Sequence, residues 1–492
     1  MKIKVSEIVK ASCGKLLQGD PDIEIDSFST NSKEIPDMAA KGDSVLFVPV
    51  MGERVDGHRF IKNAIESGAK AFFISEGHSL PEVPDNIPAI EVADTVKALQ
   101  DAAAWYRRKF NIPVIGITGS VGKTSTKEMV AAALSSIKIH KTEGNQNSQI
   151  GLPITVFGIE ESDKAAVVEM GMSMPGEMAR IAAVSRPDYA VFTNVGVAHI
   201  GNLHSKENIR AEKLHITDHF NDKSILFVND DDPMLHELAD SSCPARPSCV
   251  KHVVTFGTTP HADYYASSIS VSGDGTDFVV NYPGKDGNMG SCHIHLSVLG
   301  LHNVRNALAA VAVAAALGIA PDEAKKGIEA YRPLAMRGNI IKTNGITIVD
   351  DSYNASPDSM KSAIDVLCSM RGGKEPIRRR IAVLADVLEL GENSEKEHYA
   401  VGEFIRDRNA SDPNHRINLL VTVGKDSVQI SYGATADVGA FNPLVKNFTN
   451  NTDAITFLKE EVKKGDAIII KGSRGMHTDE IVNALKDGTI VD

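Results

Sequence analysis

The chain has 492 residues, 42% hydrophobic and 24% charged, which is too long for one ordinary core and predicts about three domains in a soluble globular protein. Lys and Arg total 52 against 64 Asp and Glu, a net charge of −12, so no global positive field suits nucleic acid or an anionic membrane, and an anionic substrate would need local basic and backbone donors. Five scattered cysteines lack zinc-ligand spacing or a disulfide framework, the Met-Lys-Ile-Lys-Val-Ser-Glu start is too charged for a signal peptide, and the longest apolar run, near 307–317, is too short to span a bilayer, so a cytoplasmic protein is expected.

Residues 1–110 alternate apolar runs at 44–50, 69–74 and 89–92 with helical stretches, and end in a helix expected over 94–110. Asn111-Ile-Pro reads as a linker. Strands are then predicted at 114–118, 165–170, 189–194 and 225–229, separated by helical patterns, which implies a mostly parallel sheet covered on both faces. From 253 to 298 the composition shifts to Gly, Ser and Thr with polar–apolar alternation, predicting short antiparallel strands; a helix over 303–317 follows, ended by Gly318. A third alternating region opens near Arg332-Pro333, with strands expected at 346–349, 381–384, 419–423 and 467–470. There is no internal repeat and no low-complexity tract. The fold class is therefore α/β in three domains, at 1–110, 111–331 and 332–492.

Between the strand at 114–118 and its helix lies Gly116-Ile-Thr-Gly-Ser-Val-Gly-Lys-Thr-Ser. Strand, glycine loop, Lys-Thr and helix make a phosphate-binding unit: loop amides and the helix N-terminus attract anionic oxygens, Lys123 reaches the outer phosphates, and Thr124 offers a hydroxyl to Mg²⁺. The usual pattern places glycine where Ile117 stands, and Gly116 and Gly119 are expected to supply the missing flexibility. The chain is thus expected to handle a nucleoside triphosphate.

Ligands of open α/β sheets sit beyond the carboxyl ends of the strands. Val167-Val-Glu puts Glu169 there, as an oxygen ligand for a hard cation or as a solvated strand end. His199 ends the turn after the next strand; a lone histidine is more often structural, and is a less usual Mg²⁺ ligand than oxygen. Lys213, in Ile209-Arg-Ala-Glu-Lys-Leu, reads by itself as a helix-surface lysine. Asn303 and Asn306 share a helix face; their amides suit a purine edge, with capping the stronger reading for Asn303. Asp350-Asp-Ser-Tyr-Asn-Ala-Ser-Pro offers carboxylates, an aromatic ring and an amide for a ribose or base, and is equally a turn-forming composition.

The order of these motifs, together with Gly144-Asn-Gln-Asn and Ile150-Gly-Leu-Pro, resembles the Mur ligase family, ATP-dependent amide-forming enzymes of peptidoglycan precursor synthesis. Within it, Met170-Gly-Met, Pro175-Gly-Glu-Met, Asp351-Ser-Tyr-Asn-Ala-Ser-Pro-Asp-Ser-Met, Glu389-Leu-Gly and Lys471-Gly-Ser-Arg-Gly-Met resemble the branch that adds D-alanyl-D-alanine to UDP-N-acetylmuramoyl-tripeptide. The early segments Thr30-Asn-Ser-Lys and Asp56-Gly-His resemble a UDP-sugar-binding domain, and no Asp-Asn-Pro-Arg motif for a single free amino acid occurs. Another ligase of the superfamily and a P-loop ATPase uncoupled from ligation are the alternatives.

The resemblance implies a UDP-sugar domain at 1–110, a central P-loop domain at 111–331, and a Rossmann-like domain at 332–492 that closes on ATP and binds the dipeptide. It implies that Gly119, Ser120, Val121, Gly122, Lys123, Thr124 and Ser125 hold the phosphates, and that Asn303, Asn306, Arg337, Asp351, Tyr353 and Asn354 hold the adenosine side. Thr124, Glu169, His199 and Lys213, the last as a carbamate, would bind two Mg²⁺ ions; Lys123, Glu169, His199 and Lys213 would be catalytic. Ser32, Lys33, Asn145 and Asn147 would contact the UDP-sugar substrate. A monomer without nucleic-acid or membrane partners is expected. Departures from the family pattern include Ser173-Met174 where Asn-His is common and Leu214-His215 where Gly-Glu is frequent.

Overall fold

The computed structural model of the chain describes residues 2–52, 54–272, 275–284, 287–371, 376–437, 439 and 441–488. Its central feature is a nine-stranded sheet. Val114–Thr118 lies inside it, flanked by Ala165–Glu169 and Tyr189–Phe192, all parallel. Every residue of Val114–Thr118 and Ala165–Glu169 is buried, which explains why these strands read as unbroken apolar runs. Ile225–Asn229 and His252–Gly257 continue the parallel part, and Tyr264–Ser272, Gly275–Pro283 and Met289–Leu296 finish the sheet as an antiparallel meander. The antiparallel expectation from residue 253 therefore holds for the meander and fails for His252–Gly257. That strand pairs in parallel with Ile225–Asn229 and packs Phe256 into the core beneath the helix Leu301–Ala316.

The N-terminal region carries a five-stranded sheet in the order Lys15–Gln18, Ala89–Val92, Ala71–Ser75, Val45–Phe47, Ser27–Ser29, and a small pairing of Ile3–Lys4 with Glu24–Ile25. Asp94 caps the helix Thr95–Arg107 by accepting from Lys97 N, so that helix begins one residue inside the expected stretch. This region shares one continuous apolar core with the central sheet. Phe28 stacks on Phe157 at 4.1 Å, and Tyr106 donates to the Ile159 carbonyl at 2.8 Å.

The C-terminal region forms a six-stranded sheet in the order Asn339–Thr343, Ile346–Asp350, Asp466–Lys471, Arg379–Ala385, Leu419–Val423, Leu444–Phe448, antiparallel only at its first pair. Among the described residues, its apolar clusters take in only Leu299, with Val271 against it, from the central region. The first two regions are joined by hydrophobic burial, and the third meets them mainly through polar groups. Among the described residues, no helix is long and apolar enough to cross a membrane.

Candidate functional site

The phosphate loop connects Val114–Thr118 to the helix Lys123–Ala133. Gly122 is the N-cap with φ of 85°, a conformation that favours glycine. Gly119 has φ of 148°, and a Cβ there would lie 1.9 Å from Thr193 Oγ1. Gly116 differs from expectation: it sits within the buried strand, where a Cβ would meet Met170 Sδ at 2.8 Å and Ile216 Cδ1 at 2.9 Å. It permits close packing and gives the loop no flexibility. Asn194 pins the loop, accepting Ser120 N at its carbonyl (3.1 Å) and Val121 N at Oδ1 (2.8 Å). The first-turn N–H groups of the following helix have no intrahelical acceptors, and the residues bearing them line a cleft.

That cleft, about 360 Å³, lies between the central and C-terminal sheets. Its floor holds Ser120, Val121, Gly122, Lys123, Thr124 and Ser125. Lys123 Nζ donates to the Gly119 carbonyl at 2.8 Å; burial lowers its pKa while Glu169 opposes the change. Glu169 is 2% exposed, receives Asn147 Nδ2 on Oε1 at 2.7 Å, and leaves buried Oε2 without a partner. An unpaired carboxylate oxygen in a cleft that Thr124 also lines suits a hard divalent cation. Asn145 lines the same wall.

Lys213 corrects its sequence reading as a surface lysine. It is 1% exposed, and its Nζ donates to the same Gly119 carbonyl at 3.1 Å. Burial, then the neighbouring Lys123 ammonium, hold its pKa well below the ordinary value. Its spacing of four from buried Ile209 places it on the inward face of Lys206–Leu214, a signal available in the sequence. His199 lines the cleft with φ of 64°, and its Nδ1 lies 3.4 Å from Glu389 Oε2, from the C-terminal region. The hydrogen bond from His199 holds the Glu389 carboxyl below its usual range.

The opposite wall carries Arg337, whose guanidinium lies 4.0 Å from the Tyr353 ring centroid. Lys471 Nζ bonds Asp351 Oδ2 at 2.6 Å and the Asn354 carbonyl at 2.9 Å, tying the Asp351-Ser-Tyr-Asn turn to the end of Asp466–Lys471. Asn303 reaches the cleft, but does not cap: the helix begins at Leu301, with Gly300 as N-cap. Its Nδ2 donates to the Leu299 carbonyl at 2.9 Å. Asn306 is not in the cleft lining; its Oδ1 accepts from Thr126 Oγ1 at 2.8 Å, fastening this helix to the phosphate-loop helix.

Ser32 and Lys33 lie apart from the cleft, in a turn after Ser27–Ser29 where Lys33 N donates to Asn31 Oδ1. Sequence reasoning passed over Lys471, His302 and Glu389 as site residues, although all three line the cleft. Lys471 and Glu389 stand in motifs quoted for the resemblance, and His302 adjoins Asn303. Burial lowers His302 to about 4, with Arg305 and Lys471 acting in the same direction and Asp351 opposing them.

Comparison with known proteins finds the following similarities. Residues 117–314 match the Mur ligase middle domain, 336–474 the Mur ligase, glutamate ligase domain, and 39–107 the Mur ligase family, catalytic domain. The UDP-N-acetylmuramoyl-tripeptide–D-alanyl-D-alanine ligase of Bacillus subtilis is 39% identical over 442 residues, covering 89% of this chain and 90% of that protein. The crystal structure of MurF from Acinetobacter baumannii superposes with a TM-score of 0.85 at 28% identity, covering 99% of both chains. The MurF ligase of Thermotoga maritima in complex with ADP gives 0.77 at 26% identity, covering 94% of this chain and 97% of that one.

Proposed function

The chain belongs to the Mur ligase family, and from that premise we propose that it joins D-alanyl-D-alanine to UDP-N-acetylmuramoyl-tripeptide at the expense of ATP, in cytoplasmic peptidoglycan precursor synthesis. The observation that carries this reading is the composition of one cleft. A phosphate loop, an unpartnered buried carboxylate oxygen on Glu169 and an Arg337–Tyr353 platform line it together.

Forming an amide from a carboxylate needs a better leaving group than oxide. ATP transfers its γ-phosphoryl group to the tripeptide carboxylate, the dipeptide amine attacks the acyl phosphate, and phosphate leaves. Such transfer is limited by charge and alignment, so Lys123 and the loop amides, which neutralise and orient the phosphates, supply much of the rate. Thr124 and Glu169 would hold one Mg²⁺, and His199 with Lys213 as a carbamate would hold a second. Bound there, magnesium would offset the charge of the transferring group. No side-chain nucleophile is needed. Asn303, Arg337, Asp351, Tyr353 and Asn354 would receive the adenosine, and Asn145 and Asn147 would approach the acceptor carboxylate. Ser32 and Lys33 would contact the uridine nucleotide. Residues 1–110 are assigned to the UDP-sugar, 111–331 to ATP and 332–492 to closure and the dipeptide, in a monomeric enzyme.

The test is phosphate release from ATP and Mg²⁺ with each substrate alone and with both. Release only with both, and a product heavier by the dipeptide less water, is the expected result. Release without the dipeptide would replace the ligase with an uncoupled ATPase, and a response to a single amino acid would replace it with another ligase.

A further inference from the structure

Residues 194–199 join the phosphate loop to the C-terminal region, and three consecutive backbone N–H groups of the stretch, at 195, 196 and 197, each have a different partner. Asn194 holds Ser120 N and Val121 N, as above. Val195 N donates to Asp232 Oδ2 at 2.7 Å, Gly196 N to Ser120 Oγ at 2.9 Å, and Val197 N to Asp358 Oδ2 at 3.2 Å. Only the last of these acceptors comes from the C-terminal region.

Asp358 lies in the first turn of the helix Pro357–Ser369, where an acidic residue ordinarily serves its own helix. Here Ser356 already caps that helix, accepting Ser359 N at 3.3 Å. The Asp358 carboxylate points away and sits against the main chain of residue 196. A Cβ on Gly196 would come within 2.2 Å of Asp358 Oδ2, so the contact requires glycine for space alone. The surroundings give this polar contact weight, because Leu299 with Val271 is all the central region adds to the C-terminal apolar clusters among the described residues.

We propose that Asp358 is a positioning residue: by accepting the Val197 N–H it docks the C-terminal region on residues 194–199, and through Ser120 and Val121 it sets the phosphate loop for ATP. The inference rests on the ATP-dependent reading above, and deepens it by naming the contact that couples domain docking to the nucleotide site. A hydrogen bond to a charged group contributes enough that its loss alters an equilibrium about tenfold or more.

The experiment uses the full-length protein and four variants: Asp358→Ala, Asp358→Asn, Gly196→Ala, and the double substitution. Steady-state kinetics in ATP are paired with small-angle scattering of the free protein. Asp358→Ala should lower kcat/KM for ATP about tenfold and increase the radius of gyration. Asp358→Asn, which keeps an acceptor oxygen, should recover most of the loss. Gly196→Ala should be impaired, and adding Asp358→Ala should relieve part of that impairment, because the obstructing carboxylate is gone. A purely structural Asp358 would give neither rescue by Asn nor relief in the double variant. Unchanged ATP kinetics and unchanged scattering in Asp358→Ala would overturn the proposal, as would a double variant worse than both single ones. If Asp358→Ala does not fold, Asp358→Asn and Gly196→Ala decide, and unchanged ATP kinetics and scattering in Gly196→Ala overturn the proposal. A wild-type protein that fails to ligate sinks the ligase reading, and scattering then decides the docking contact by itself.

Discussion

Lys123 and Lys213 aim their ammonium groups at a single oxygen, the carbonyl of Gly119, at 2.8 and 3.1 Å. Two cations on one acceptor, Lys213 buried and Lys123 partly buried, repel each other, and loss of solvent lowers the pKa of both. Relief comes if Lys213 loses its positive charge. A neutral amine is also the form that reacts with CO₂, so the strain in this pair fits the carbamate role proposed for Lys213.

Lys213→Ala is expected to lower ligation about a hundredfold, a loss comparable to removing one preorganised electrostatic group. Short carboxylic acids, which place a carboxylate where the carbamate would be, should restore part of it. The measurement is phosphate release over a series of acetate and formate concentrations. Wild-type activity in the variant would remove Lys213 from the metal site.

Glu169→Gln preserves shape and removes the charge from the oxygen left unpartnered in the cleft. The Mg²⁺ concentration for half-maximal rate should rise at least about tenfold, since ligand-sphere changes alter metal affinity by about that much. Titration of the rate with Mg²⁺ checks this. An unchanged requirement would place the cation elsewhere.

Two glycines of the phosphate-binding segment should behave differently on substitution by alanine. Gly119→Ala forces an unfavourable φ and a clash with Thr193 Oγ1, costing about 1–3 kcal/mol and displacing the loop, so nucleotide affinity and stability fall together. Gly116→Ala overpacks the strand against Met170 and Ile216, also by about 1–3 kcal/mol, while the folded fraction retains its nucleotide affinity. Thermal melts with calorimetric ADP titrations separate the two. Equal losses of affinity would mean that Gly116 acts in the loop after all.

His302 should make stability depend on pH. The folded protein holds it at about 4 against an ordinary 6.5, so between those values the unfolded chain binds the additional proton. Its contribution is complete above about pH 6.5 and declines as pH falls toward 4, by up to ~1.4 kcal/mol per pH unit. Urea melts of wild type and His302→Gln at pH 7.5 and 5 test this: the variant should lose less stability on acidification. Parallel losses in the two proteins would assign the dependence to other groups.

The strands that sequence reading missed are edge strands: Lys15–Gln18, Ser27–Ser29, Ile139–Lys141, Asn339–Thr343 and Leu444–Phe448. These edge strands are mostly half-exposed or exposed, so they lack the continuous apolar run that marks Val114–Thr118 or Ala165–Glu169. Asn303 was misread as a cap for a related reason. Gly300, the N-cap with φ of 101°, is held where a Cβ would meet Val366 of the C-terminal region at 2.7 Å, a contact that no local pattern reports.

The sequence by itself determined what is local: the strand–loop–helix that orders Ser120 to Ser125, the carboxylate at the end of Ala165–Glu169, and the fold class, because apolar runs, glycine conformation and helix termini are properties of neighbouring residues. Only the tertiary structure decided that Lys213 is buried on the Gly119 carbonyl, that Lys471 holds Asp351, that Asn306 accepts from Thr126, and that Asp358 meets Val197. Those contacts join residues far apart in the chain. Burial and mutual electrostatics, which decide what each group does, exist only once the sheets have assembled around the cleft.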